Sequence, residues 1–181
     1  MIRRLISGIF GLFVLASAAA QQKTLHPVEE NSSVSFSIKN FGFAVNGNFH
    51  GLDGEMQFDP ARPTAAKFDV SISAASINTG NNTRDKHLRS DDYLDVSKFP
   101  RVSITSETVK AGKNPDTYIL VAKLQLHGQS GTIEIPFTVK PSGGGWLFEG
   151  SFTVNRIDYK VGGNSLSMAD NATVNLKILG K

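Results

Sequence analysis

Between Val34 and Ile178 apolar residues return at every second position, in short runs separated by clusters of glycine, proline, asparagine and aspartate. A period of two gives each run one dry and one wet face, which restricts the chain to antiparallel strands with a solvated side and excludes the all-apolar strands of a parallel sheet. Val34, Phe36 and Ile38 alternate with Ser35, Ser37 and Lys39, and the pattern returns in Phe43 to Phe49 and again around Met56 and Phe58. It continues through Phe68, Val70 and Ile72, Val102 and Ile104, Tyr118 to Leu126, Ile133 to Val139, Trp146 to Val154, and Val174 to Ile178. About eight or nine strands follow from this count, with turns at Gly112 to Asp116, Gly128 to Gly131 and Pro141 to Gly145.

The period breaks once, between Gly80 and Pro100. Asn81, Asn82 and Thr83 are residues that cap helices, so a short helical insertion is expected near residues 82–96, with a second helical turn around Asp91 to Val96. No internal repeat or linker divides the chain, so residues 21–181 read as one domain. A sheet of this size curls, and closing it into a barrel removes edges that would otherwise aggregate; a two-sheet sandwich is the competing solution.

The dry phase of such a barrel holds Phe36, Ile38, Phe43, Val45 and Phe49 from the first two runs and Met56 from the third. Phe68, Val70, Ile72 and Ile104 come from the middle of the chain, followed by Tyr118, Leu120, Phe148, Phe152 and Val154. These are the expected cavity-lining residues. An eight-stranded barrel stands at the boundary between an interior filled by its own side chains and one with room for a ligand, and the pattern alone leaves both open.

The first residues carry Arg3 and Arg4 and then an apolar run from Leu5 to Ala16, with the small residues Ala18, Ala19 and Ala20 before Gln21. This is the form of a secretory signal peptide, residues 1–20, cleaved near Ala20. The nineteen basic residues fall to seventeen when Arg3 and Arg4 leave, against sixteen acidic ones, so the mature chain is nearly neutral and has no basic stripe for nucleic acid. Cysteine is absent, which excludes disulfides, thiolate metal sites and cysteine nucleophiles and leaves stability to burial.

Several segments go beyond pattern. Ser76-Ile77-Asn78-Thr79-Gly80, the stretch from Arg84 through Asp85 and His87 to Asp95, and Lys98-Phe99-Pro100 together strongly resemble the signature of the YceI-like family. The similarity continues in Phe41-Gly42-Phe43 with Gly47 and Phe49, in Phe58-Asp59-Pro60, in Leu124 to Gly128 and in Asn155 to Tyr159. The resemblance implies an all-β, lipocalin-like antiparallel barrel, exported to the periplasm, that holds a polyisoprenoid or related long-chain lipid in its lumen. It also implies a bound isoprenoid, of polyprenyl or quinone type, or a fatty-chain lipid in place of any conventional cofactor. Trp146, the one tryptophan, is late in the chain, so the likeness to lipocalins is of fold. Asn40 stands where many family members have a histidine, Ile104 where phenylalanine is common and Lys160 where glycine is usual.

The polar candidates at the barrel mouth are Arg84, Asp85 and His87 in the insertion and Arg156 and Asp158 on the late strand, which share a phase and so face the same way. They would orient a lipid head group, or pin the insertion to the barrel by hydrogen bonds, or serve as catalytic acid and base. Catalysis lacks a nucleophile with a base and an orienting group, so no enzyme is expected. His87 with Asp91, Asp92 and Asp95 has no metal-loop spacing and reads as a solvated acidic face. A different class of function is a filled barrel that docks a partner such as a membrane-bound redox or stress-response protein. Transient contact with the inner or outer membrane and a homodimer are both compatible with the sequence.

Overall fold

In the computed structural model, which describes residues 23–181, the chain is one curled antiparallel sheet of ten strands that forms a half-barrel, in the order β1-β4-β5-β6-β7-β8-β9-β10-β2-β3. The signal-peptide segment 1–20 lies outside the described residues. The strands are β1 (Thr24–Leu25), β2 (Ser33–Asn40), β3 (Phe43–Phe49), β4 (Asp53–Gln57), β5 (Lys67–Ser73), β6 (Arg101–Ala111), β7 (Thr117–Leu126), β8 (Gln129–Ser142), β9 (Gly145–Asn155) and β10 (Met168–Gly180). The alternating runs therefore become strands, and the count rises because the polar lead-in before Pro27 supplies β1. One helix, α1 (Asn82–Leu88), fills the break in period. Its cap is Asn81, whose side chain accepts from Arg84 N at 3.0 Å. The second helical turn expected around Asp91 to Val96 is instead a series of turns held by Leu94 N to Leu88 O and Asp95 N to Ser90 O.

Three hairpins join neighbours through two-residue loops, and all use the turn whose two central residues both lie at positive φ. These are Phe41 and Gly42, His127 and Gly128, and Gly143 and Gly144. The twist of that turn matches the twist of the strands it connects.

Pairing between strands runs from β4 round to β3 but not across the remaining gap, and that seam is closed by other groups. At the lower end the N-terminal segment fills it. Thr24 and Leu25 pair with Gln57 and Met56 of β4, while His26 and Lys181 exchange backbone hydrogen bonds and Val28 N donates to Leu179 O of β10. At the upper end Asn48 of β3 exchanges both hydrogen bonds with Asn78, and Ser73 N donates to His50 O. Between them the Glu29 carboxylate accepts from Gly51 N and Leu52 N, at 3.1 and 2.7 Å, as the chain crosses from β3 to β4.

The interior is divided. At the lower end Phe58, Tyr118, Phe137, Trp146 and Phe148 pack edge to face, with Phe58 at 5.1 Å from Tyr118 and 5.5 Å from Phe148, centroid to centroid. Phe68 packs edge-on against Phe137 and Phe148 and completes the floor. A bulge between Ser106 and Thr108 resets the phase of β6, so that Val109 joins this plug fully buried, and it bends the strand around the curve. Truncating the central ring, Phe58→Ala, is expected to cost about 3–5 kcal/mol. Urea unfolding of the purified protein would measure that loss as a lower midpoint at an unchanged slope.

Candidate functional site

Above the aromatic floor the half-barrel is hollow. The lumen has a volume of about 270 Å³ and runs up to the end of the sheet that carries α1. Its walls include the inward phases of the strands: Val34, Phe36 and Ile38 of β2, Val45 and Phe49 of β3, Met56 of β4, Phe68, Val70 and Ile72 of β5, Ile104 of β6, Leu120 of β7, and Phe148, Phe152 and Val154 of β9, with Ile135 and Phe137 of β8 and Val174, Leu176 and Ile178 of β10, which were not among the expected lining residues. Phe36, Ile38, Val45, Val70 and Ile104 are only half-buried although they point inward, as residues facing open space must be. Ser35, Ser71 and Glu149 also border the space, but they stand in the outward phase of their strands, so what they present is backbone.

The open lumen depends on one close approach. Phe36 stands opposite Gly47 across β2 and β3, and a Cβ at Gly47 would lie 2.5 Å from the Phe36 ring. Glycine lets the ring lie flat against the wall, 5.6 Å from the Phe49 ring, rather than across the cavity.

Two residues expected in the lining are elsewhere. Phe43 shares the inward phase of β3, but it pairs with Asn40 at the very tip of the hairpin, beyond the end of the cavity, and is 79% exposed. Tyr118 is buried, but beneath the floor, where it belongs to the plug. Burial lifts its hydroxyl pKa above the ordinary value, with the Asp116 charge adding to the effect.

The polar cluster in the insertion separates into different roles. The Asp85 carboxylate is buried and accepts from both the backbone N–H and the hydroxyl of Thr79, at 2.9 and 2.5 Å. The Thr79 hydroxyl in turn accepts from Arg84 Nε, and Arg84 Nη2 donates to Thr79 O. Asp85 therefore pins α1 to the chain entering it and does not face the lumen. Arg84 does border the lumen, and three of its five N–H groups have no protein partner in the structure. His87 is exposed and packs its ring against Tyr93, 4.8 Å between centroids, so its contribution to the lumen is to support the Tyr93 wall. Asp95, further along, is taken up by Lys98 Nζ and by Ser97, both at 2.8 Å, and Lys98 first and Ser97 second hold its carboxyl below the ordinary carboxylate range.

Arg156 and Asp158 do not pair. Residues 156–160 form a turn after β9 instead of continuing the strand, which sends Asp158 into solvent. Arg156 is 4% exposed and gives all five N–H groups away: Nε to Ala169 O, Nη1 to Val161 O and Gly163 O, and Nη2 to Met168 O and the Asp170 carboxylate. It ties the loop between β9 and β10 around one guanidinium and is saturated by the protein. Lys160 stands in that turn at φ +56°, the left-handed region where glycine is the common choice.

The rim also contains Ile77, Leu88, Tyr93 and Leu94 from the insertion and Val161 and Met168 from the loop tied by Arg156, none of them expected there from the sequence, together with Asn40 at the end of β2, already marked as a departure from the family's histidine. Leu88 sits beside Arg84 on α1 at helical spacing, which is the signal that would have found it. Ile77, Tyr93, Leu94 and Val161 stand in irregular segments, which gave no such signal.

An antiparallel half-barrel with a plugged floor and an apolar lumen open at the other end defines a small-ligand-binding barrel. Residues 25–179 match the YceI-like domain, and the chain belongs to the YceI-like family. It is 37% identical to a UPF0312 protein of Yersinia enterocolitica over 118 residues, covering 65% of this chain and 60% of that protein. A UPF0312 protein of Pseudomonas fluorescens is 36% identical over 141 residues, 72% of this chain and 71% of that one. Among solved structures, Burkholderia cenocepacia BcnA superposes with a TM-score of 0.81 at 22% identity, covering 86% of this chain and 99% of BcnA. A polyisoprenoid binding domain from Saccharophagus degradans superposes with a TM-score of 0.68 at 16% identity, covering 89% of this chain and 99% of that domain.

The bonding of Arg156 gives a direct test of its role. Arg156→Leu removes the donor set that five acceptors share and is expected to destabilise the protein by about 2–4 kcal/mol. Hydrogen exchange should then accelerate first in the amides of residues 161–170 and much less in β7 and β8.

Proposed function

We propose that this chain works in the periplasm as a carrier or store for a long-chain isoprenoid or other apolar lipid, which lies in the lumen with its tail on the aromatic floor. The observation that carries the reading is the lumen itself: an apolar space with half-buried inward side chains, closed below and open above. Each methylene brought in from water contributes roughly 0.8 kcal/mol, so a tail gains affinity from length until the floor stops it. The polyisoprenoid-binding description of the Saccharophagus domain, which shares the fold, supports this class of ligand. The reading is of binding, not turnover, because Asp85 and His87 are engaged with Thr79 and Tyr93 rather than with the lumen.

Native mass spectrometry of freshly purified protein, followed by solvent extraction, is expected to find a co-purified lipid. Ala172 of β10 borders the lumen, and Ala172→Phe should fill it and abolish retention while circular dichroism stays unchanged. Protein that is empty and takes up no prenyl chain would remove the proposal.

A carrier must meet its source, and the rim supports contact with a bilayer. Among the described residues the large apolar side chains left exposed are Phe41, Phe43 and Leu166, and all three belong to the mouth. Phe41 and Phe43 form the β2–β3 tip, and Phe41 N donates to Ser167 O, next to Leu166. Aromatic and leucine side chains presented together at a surface insert readily at a lipid interface. Replacing all three by serine is expected to abolish co-sedimentation with vesicles of phosphatidylethanolamine and phosphatidylglycerol and to slow lipid transfer from them. The amount of lipid bound at equilibrium should not change.

A further inference from the structure

Three elements meet around the mouth of the lumen, and two of them are fastened. The insertion is pinned by Asp85 to Thr79 and by Arg89, whose Nε donates to Ala75 O at 2.7 Å and whose Nη2 donates to Ile77 O at 2.6 Å. The loop between β9 and β10 is tied by the Arg156 guanidinium. These two are also joined to each other. Gly162 N donates to Asp92 O at 2.9 Å, and Tyr93 lies so close that a Cβ at Gly162 would be 2.8 Å from its ring.

The third element is the β2–β3 hairpin. Every second residue of an antiparallel strand turns its N–H and C=O toward the same neighbour, and in β3 the residues turned away from β2 are Ala44, Asn46 and Asn48. Asn48 exchanges both hydrogen bonds with Asn78, at 3.0 and 3.1 Å, whereas Ala44 and Asn46 make none. Among the described residues, no hydrogen bond or ion pair joins residues 40–47 to the insertion at 79–96. Below Asn48 the seam is sewn: Ser73 N donates to His50 O, His50 N donates to Ser76 Oγ, and Glu29 accepts from Gly51 and Leu52. On its other side the hairpin meets β10 at Met168, after which the register shifts and pairing resumes only at Ala172 with Ile38. Both margins of the upper seam are lumen wall, with Ile38 and Val45 on the hairpin and Ile77, Arg84 and Leu88 on the other margin.

We propose that the β2–β3 hairpin is the gate of the lumen and that the backbone pair Asn48–Asn78 is its latch. When the pair parts, the hairpin swings away from the insertion and the mouth widens along one wall, down to the sewn seam at His50. Asn48 and Asn78 are both exposed, so water takes up the N–H and C=O groups that the opening frees, and the opening stays local. This rests on the lipid-binding reading and specifies how the ligand passes the rim. Phe41 and Phe43, at the tip of the same hairpin, put the gate where the rim would meet a bilayer.

The chain has no cysteine, so the double substitution Asn48→Cys with Asn78→Cys introduces a single pair of thiols. Residues that exchange two hydrogen bonds across an antiparallel pair have Cα atoms about 5.5 Å apart, within the span of a disulfide. The probe is cis-parinaric acid, whose fluorescence rises in an apolar site, and stopped-flow mixing with delipidated protein reads its entry and release. The oxidised double variant is expected to exchange the probe about tenfold more slowly than the wild type, at unchanged affinity. Reducing the same sample should restore the wild-type rates, which also shows that the variant is folded. Equal rates in the oxidised and reduced samples would overturn the gate and leave lipid binding in place. Hydrogen exchange of the wild type tests the latch without any variant: the amides of Asn48 and Asn78 should exchange together, and faster than those of Ser73 and Leu52 in the sewn seam. Exchange no faster than at Ser73 and Leu52 would equally overturn the gate. Failure of the probe to bind the wild type would overturn both readings.

Discussion

Closure of a curled sheet is the constraint on which the rest depends. A ten-stranded sheet with two free edges exposes rows of backbone N–H and C=O groups, and neither a stable monomer nor a dry interior is compatible with that. Here the gap beside β3 and β4 is filled by groups that are not sheet strands in the usual sense. Two residues of β1 and the segment to Val28 splice β4 to β10, an asparagine pair joins β3 to the stretch before α1, and a carboxylate caps two amides where the chain turns. Only with those bonds made can the inward side chains be kept from water and still leave space between them.

The interior then answers two competing demands in different places. Packing the rings of Phe58, Tyr118, Phe137, Trp146 and Phe148 edge to face supplies dense contact at the floor, where it contributes to stability. Above it, smaller aliphatic side chains and a glycine under Phe36 hold the walls apart. The barrel is filled and hollow at once, which is why composition alone, rich in phenylalanine throughout, did not choose between the two.

What was legible in the sequence was the phase of each strand; what was not was its ends. Phe36, Ile38, Val45 and Val70 follow from alternation, because a strand that alternates must turn one set of side chains inward. Phe43 obeys the same rule yet lies past the cavity, and Tyr118 obeys it yet lies beneath, because depth along the barrel axis is set by register between strands and leaves no trace in a local pattern. Arg156 and Asp158 misled for a further reason. Two residues apart mean one face only while the strand lasts, and the chain leaves the sheet at Asn155 to wrap its own carbonyls around the guanidinium. The break between Gly80 and Pro100 was read correctly as an insertion, but its contacts with the lumen come from turns, where spacing carries no directional information.

The aromatic floor makes the lumen a blind tube, and a blind tube imposes an order of events. A long amphipath that enters tail first leaves head first, and in free solution that is the wrong way round for joining a bilayer, whose surface must accept the tail. If the rim meets a bilayer as proposed, with the opening at the level of the lipid head groups, the sequence becomes the right one: the polar end reaches its own depth at once, and the chain is drawn sideways into hydrocarbon without meeting water.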